Sequence, residues 1–300
     1  MSQVWVSGEV LIDLIPDGLK QKPVVGGGPA NTAKALAKLG IDTQFIDGIS
    51  TDDHGLMAKF ELVSTGVKLN YIKYSDKPTC LAIVSLSDSG SASYEFVIKN
   101  TATFDFTPDW LPNPQTERPS VLHIGTLATA VEPGASVLFE WAQSVAKIAL
   151  IVFDPNIRPA VMNDREKYVK QVERWVSISS AIKVSDEDIN WLYPSLEIEQ
   201  VVKNWLAEGP SLIVVTYGDK GLAGYRLDEK VSVDAVKVVV ADTVGAGDTV
   251  GAILVEAIVK DGLSSLSGVR LEMLLKRAAK AAAITVSRSG ANPPTLKEIE

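Results

Sequence analysis

Short apolar runs rich in β-branched residues recur along the chain at 4–6, 44–49, 121–124, 149–153, 181–184 and 212–216. Runs of this length, bounded by polar, Gly or Pro positions, predict strands. Between them the apolar residues fall at the three-to-four spacing of a helix face. Positions 30–39 carry Ala33, Leu36, Ala37 and Leu39, and Gly40 follows as a stop signal. Positions 134–146, 166–178, 198–207 and 270–286 repeat that spacing. Strands alternating with helices predict an α/β fold, a mainly parallel central sheet with helices on both faces. Right-handed crossovers then bring the loops after the strands to one edge, where ligands of such sheets bind.

One region departs from this alternation. Positions 67–106 show no helical spacing, whereas 79–86 and 91–98 are β-like around an Asp88-Ser89-Gly90 turn. The short segment 12–25, punctuated by Pro and Gly, is expected to join that hairpin in a small antiparallel sheet inserted into the main domain. Such a sheet serves as a lid, a dimer contact or a plain surface hairpin. Positions 107–119 hold Pro108, Pro112, Pro114 and Pro119 and read as a stiff return loop within one domain spanning 1–300.

Composition narrows the function classes. Of 300 residues, 46% are hydrophobic and 22% charged, ordinary values for a globular chain. The net charge of -8 repels phosphate backbones, so no nucleic-acid partner is expected. One cysteine, Cys80, excludes an internal disulfide, and two histidines exclude a His-rich metal site. His123, in an apolar run, reads as a satisfied core histidine. No apolar run approaches a membrane span, and Met1-Ser2-Gln3 leads into the first strand without a basic leader. A cytoplasmic protein with no membrane partner is expected.

Five motifs carry candidate chemistry. Asp242-Thr243-Val244-Gly245-Ala246-Gly247-Asp248 follows an expected strand at 237–240 and opens an apolar helix reaching about position 259. Three small residues let backbone N–H groups approach an anion at a helix N-terminus, and Asp248 sits beside it. The alternative is a glycine turn with Asp248 as N-cap. The spacing fits neither a Walker loop nor a dinucleotide fingerprint. Gly26-Gly27-Gly28-Pro29-Ala30-Asn31 precedes a helix and suits either a polyhydroxylated ligand or a packing turn. In Gly8-Glu9-Val10-Leu11-Ile12-Asp13, Asp13 is expected at the end of the first strand, placed to accept two hydroxyls or solvated in a loop. Asp154-Pro155-Asn156-Ile157-Arg158 follows a buried strand; Arg158 contacts substrate or phosphate there, or pairs internally with the aspartate. Thr216-Tyr217-Gly218-Asp219-Lys220-Gly221 reads as a nucleotide turn or a bare hairpin turn.

In this order and spacing the five motifs resemble the PfkB family of ribokinase-like carbohydrate kinases, over essentially the whole chain and most closely in its fructokinase branch. The resemblance implies a ribokinase-like three-layer fold, with a lid at about 12–25 and 67–106. It implies ATP-dependent phosphorylation of a sugar, D-fructose to fructose 6-phosphate, with other acceptors open: 2-keto-3-deoxygluconate, ribose, or a nucleoside stacking on Tyr94 and Phe96. A non-catalytic sugar-binding relative is the alternative of another class. Asp248 matches the catalytic base, with Gly245, Ala246 and Gly247 completing an anion hole. Asp13, Gly27, Gly28, Asn31, Phe96, Lys99 and Arg158 match substrate-binding positions. Asn156, Lys183, Ser185, Thr216, Gly218 and Gly221, with Gly245 and Gly247, match the ATP side. Asp188 is implied for Mg²⁺ through water, and Asp242 with carbonyls around 287–290 for K⁺. Pairing of two copies through the lid is implied as well. The chain departs from the family's usual Asn-x-x-Glu at Ser185 and Asp188, from its Val-Gly-x-Asp at Ile49-Ser50-Thr51-Asp52, and from a fructokinase lid arginine at Lys99.

Overall fold

The computed structural model describes residues 3–18, 20–86 and 92–300. The 88–90 turn, Met1-Ser2 and the Tyr94 side chain lie outside the described residues. In chain order the elements are β1 (Val4–Ser7), β2 (Leu11–Asp17), β3 (Lys20–Gly26), α1 (Gly28–Lys38), β4 (Thr43–Ile46), β5 (Gly48–Ser50), α2 (Asp53–Ser64) and β6 (Lys73–Ser75). Then come β7 (Leu81–Leu86), β8 (Ala92–Val97), α3 (Pro114–Glu117), β9 (Val121–Gly125), α4 (Gly134–Val145), β10 (Leu150–Asp154), α5 (Arg165–Ile178) and β11 (Ala181–Ser185). The chain ends through α6 (Asp186–Leu192), α7 (Ile198–Glu208), β12 (Leu212–Thr216), β13 (Leu222–Arg226), β14 (Glu229–Val233), α8 (Ala246–Asp261), α9 (Gly268–Val286) and α10 (Leu296–Ile299).

The central sheet has the order β14-β13-β12-β11-β10-β9-β1-β4. It is parallel from β4 to β12 and antiparallel at β13 and β14. Strand alternation divides the core into two layers. Val4, Val6, Val121, Val152, Ala181 and Val214 pack with α1, α8 and α9 residues such as Leu36, Ile253 and Leu275. Trp5, Leu122, Ile151, Phe153, Ile182 and Val215 pack with Leu138, Tyr168, Trp175 and Trp205 from α4, α5 and α7. Burial on both faces explains why these strands read as continuous apolar runs.

The second sheet runs β3-β2-β7-β8. It is mixed, not antiparallel as expected, because β2 pairs with β7 in parallel while β2–β3 and β7–β8 are antiparallel hairpins. Its strands are confined to 11–26 and 81–97; the segment from 67 to 80 contributes β6, which pairs with β5 instead.

Other expectations change for identifiable reasons. The run 44–49 is two strands, broken at Asp47. That buried carboxylate accepts from the backbone N–H of Val10 at 2.8 Å, from Gly48 N–H at 2.7 Å and from the Thr103 hydroxyl at 2.9 Å. Burial pushes its carboxyl well above the ordinary range, even though these three bonds favour the charge. Positions 237–240 form no strand and leave Val239 and Val240 88% and 58% exposed. Helix α2 escaped the periodicity because its outward face carries Leu56, Phe60 and Val63, which blur the polar side. Helix α6 is only seven residues long, and α3, capped by Asn113 ahead of Pro114, interrupts the return loop. No helix among the described residues is long and apolar enough to cross a membrane.

Candidate active site

A cleft of about 1470 Å³ lies between the carboxyl edge of the main sheet and the small sheet. The N-terminus of α8 opens into it. Gly245, the N-cap, has φ +81°, and a Cβ there would lie 2.7 Å from the Ala291 Cβ, so glycine is required on both counts. No side chain caps α8, which leaves its first-turn N–H groups available to a ligand. Asp248 occupies the third helical position and is therefore not the N-cap. Its Oδ2 accepts from Asn31 Nδ2 at 2.9 Å, and its backbone carbonyl accepts from the Thr32 hydroxyl. The starts of α1 and α8 are thus locked together, with the carboxylate between them. Burial pushes the Asp248 carboxyl up to about 6; Lys183 offsets part of this, Asp154 adds to it, and the Asn31 bond and Arg158 oppose it.

Behind the amide turn lies an internal ion pair. Lys183 Nζ is 2.9 Å from Asp154 Oδ2, and both residues are almost wholly buried. A Cβ on Gly247 would approach Lys183 Nζ to 2.7 Å, which places the ammonium directly under the helix start. Burial lowers the lysine's pKa, but Asp154 and Asp248 outweigh it and the net shift is upward. The alternative of an internal Asp154–Arg158 pair does not form. Arg158 donates instead to the carbonyls of Asn156 and Ile157 within its own loop. Lys183→Met strands a charge at Asp154, so denaturation midpoints should report a loss of about 3–5 kcal/mol. An unchanged midpoint would show that this pair contributes no net stability.

Near His123 the structure contradicts the sequence reading. The ring is buried, but neither nitrogen has a hydrogen-bond partner, so it is not satisfied. Burial and the Lys183 charge push its pKa down to about 3, and it stays neutral.

Asp13, Asn31, Val84, Phe96 and Arg158 line the cleft. Asp13 lies within β2, opposite Val24 and Ala82 in the small sheet, and not at the end of β1 as expected. A Cβ at Gly26 would come within 2.1 Å of Asp13 Oδ2, so the glycine makes room for the carboxylate. Burial raises the Asp13 carboxyl to about 6, against the opposing charges of Arg158 and Lys34. Gly27, with φ +102°, and Gly28 close the same wall; a Cβ on Gly28 would crowd Thr126, Asn156 and Asp248. The glycine tract thus packs closely and also lines the cleft. Lys99 is exposed and does not line the cleft.

The same cleft is also lined by Thr216, Gly218, Gly221, the start of α6 and most of 235–246. The 216–221 turn is both a hairpin turn and a cleft wall. Ser185 and Asp188 form a capping box on α6, and Asp188 Oδ1 also accepts from Ile157 N–H at 2.8 Å. Burial raises the Asp188 carboxyl despite these bonds. Asp242 accepts from the N–H groups of Val244 and Gly290, bringing it to the 287–290 segment. Asp52 caps α2 and holds Thr79, a structural task away from the cleft.

Sequence reasoning passed over Glu9. It is buried, accepts from the Thr126 hydroxyl and from Ala128 N–H, and is held above the usual carboxylate range by burial. Its partner Thr126 has φ +57°, and nearby Asn156 has φ +39°, two left-handed non-glycine residues against the Gly28 wall. Strain of this kind collects at functional sites. The Gly-Glu pair after β1 was its only trace in the sequence.

A mainly parallel sheet covered on both faces, with a four-stranded sheet over its carboxyl edge, defines a ribokinase-like α/β protein. A family model described as "pfkB family carbohydrate kinase" matches residues 1–298, and the chain belongs to that family of carbohydrate kinases. It is similar to a fructokinase of Rhizobium leguminosarum bv. trifolii, 34% identical over 261 residues that cover 85% of this chain and 79% of the relative. Among solved structures it resembles a fructokinase with bound ATP from Xylella fastidiosa, with TM-score 0.91, 25% identity and coverage of 99% and 96% of the two chains. A fructokinase double mutant from Vibrio cholerae O395, in a fructose-, ADP- and potassium-bound form, matches with TM-score 0.85, 25% identity and coverage of 97% and 94%.

Proposed function

We propose that the chain is a fructokinase, which transfers the γ-phosphoryl group of ATP to a hydroxyl of D-fructose and yields ADP and fructose 6-phosphate. One observation carries the reading: Asn31 holds the Asp248 carboxylate at an uncapped helix N-terminus, in the same cleft as Asp13. The fructose and nucleotide named for the similar structures point the same way.

Asp13 and Asn31 hold the sugar hydroxyls and aim the reacting one at Asp248. Asp248 orients that hydroxyl and accepts its proton as the oxygen bonds to phosphorus and the bond to ADP breaks. N–H groups from Gly245 to Asp248 hold the charge on the transferring group. Lys183, anchored by Asp154, keeps positive charge beneath them. The small sheet acts as a lid that excludes water.

Asp154 Oδ1 is buried without a partner, and Asp188 lines the cleft. These oxygens fit a Mg²⁺ ion held through its waters, which would neutralise phosphate charge. Asp242 and the 287–290 carbonyls would hold a K⁺ ion, with Asp242 shaping the loop through its two accepted bonds.

A coupled ADP-release assay across sugars tests the reading. Fructose should give the highest kcat/KM. Preference for 2-keto-3-deoxygluconate, ribose or a nucleoside would overturn the acceptor and leave the kinase, while silence with every sugar would favour a non-catalytic binder.

A further inference from the structure

Helix α1 is fastened to the site at both of its ends. Near its start, Asn31 Nδ2 donates to Asp248 Oδ2 at 2.9 Å, and the Thr32 hydroxyl donates to the Asp248 carbonyl. Its last residue, Lys38, comes seven positions after Asn31, about 10 Å along the axis and on the same face. There Lys38 Nζ donates to Asn292 Oδ1 at 2.8 Å and to the Pro293 carbonyl at 3.1 Å.

Residues 290–293 are in turn fastened to the amide turn before α8. Asn292 N–H donates to the Gly290 carbonyl at 2.8 Å, which folds the segment tightly. Gly290 N–H donates to Asp242 Oδ2 at 2.9 Å, and Asp242 Oδ1 accepts from Val244 N–H at 3.0 Å. Ala291 packs on Gly245, where an added Cβ would lie 2.7 Å from the Ala291 Cβ. The contacts close a ring that runs from Asn31 to Asp248, through 242–245 and 290–293, and back through Lys38 to α1.

Charge neutralisation does not explain the lysine. Both of its acceptors are neutral oxygens, and the nearby Glu61 and Glu298 are paired with Lys34 and Arg288. Partial burial pulls the Lys38 pKa down, Arg288 and Lys34 add to that shift, and the two glutamates oppose it. What the ammonium does provide is two directed donors to a segment that is otherwise distant in sequence.

We infer that Lys38 is a positioning residue for phosphoryl transfer: through the 290–293 turn it sets the 242–245 amides against the Asp248 carboxylate that α1 holds at its other end. This inference rests on the function proposed above. The amides and the carboxylate act on one reacting centre from different contacts, so a shift between them is felt in the transfer step more than in sugar capture. A displacement of about 1 Å far from the chemistry can cost about 10²-fold.

The test compares variants with the wild type as intact proteins, using ATP and the best acceptor of the sugar panel. Lys38→Met keeps most of the aliphatic stem and removes both donated bonds. Its kcat should fall about 10- to 100-fold, while the acceptor KM stays within about twofold. Asn292→Ala, at an exposed position, removes one of the two bonds and should lower kcat less. The double variant should cost less than the product of the single effects, because both act through one turn. Lys280→Met, which removes a 3.1 Å bond from α9 to the Glu300 carbonyl, should leave kcat unchanged. If Lys38→Met and Asn292→Ala lower the melting temperature but keep the wild-type kcat, or if Lys280→Met slows turnover as much, Lys38 is a structural tie alone and the inference fails. A wild type silent with ATP and every sugar would remove the proposed function and this inference together.

Discussion

Asp248→Asn should lower kcat by about 10²- to 10⁴-fold and leave the KM for fructose nearly unchanged. The substituted amide keeps the shape and the contact with Asn31, yet it cannot take a proton. Because burial holds the Asp248 carboxyl at about 6, the wild-type kcat/KM should fall as pH drops through that value. Asp13, also near 6, steepens the same limb. Stability runs in the opposite sense. The folded-state pKa lies above the ordinary 3.8, so the protonated acid favours folding and that contribution is lost as pH rises from about 4 to about 6. At pH 8 the Asn variant should therefore exceed the wild type by up to about 3 kcal/mol, with the difference vanishing at pH 4. A slow but more stable variant separates a catalytic carboxylate from a structural one, whose loss would destabilise. Near-normal turnover would remove Asp248 from the chemistry.

The second large effect is expected at Asp13. Two hydroxyls on an ionised acceptor contribute about 1.5–3 kcal/mol each, so Asp13→Ala should cut kcat/KM for fructose by about 10²- to 10⁴-fold. Most of the loss should enter through KM, and the KM for ATP should change little, because Asp13 belongs to β2 of the small sheet whereas Thr216 and Gly218 follow β12 of the main sheet. Gly26 already leaves space around the carboxylate, so truncation introduces no clash. If melting shifts while the fructose KM does not, the aspartate serves only β2.

The main sheet and the α8 turn were legible because each rests on local information. Strands buried on both faces must be apolar throughout, and Gly245 is demanded by its own φ of +81°. What escaped depends on contacts distant in sequence. Asp47 breaks an apolar run because Val10 and Thr103 arrive from elsewhere. Asp13 looked like the end of a β1 strand, but the chain turns at Gly8, Glu9 and Val10 into the small sheet. The valines at 236–240 have the composition of a strand, yet they form none. Val236, Val238 and Val240 line a cleft wall instead, a position to which β propensity is blind. The exposed Leu56 and Phe60 of α2 hid a helix for the opposite reason, apolar residues facing outward. At the site, Asn31 and Asp248 stood in separate motifs 217 positions apart, and only the packing of α1 on α8 joins them.

The most direct test is a crystal structure of the wild-type protein with fructose and a non-hydrolysable ATP analogue. The account predicts the fructose O6 within about 2.6–3.2 Å of an Asp248 carboxylate oxygen, and the terminal phosphate on the N–H groups of residues 245–248. A sugar bound with O6 away from Asp248, or a terminal phosphate held elsewhere, would contradict it.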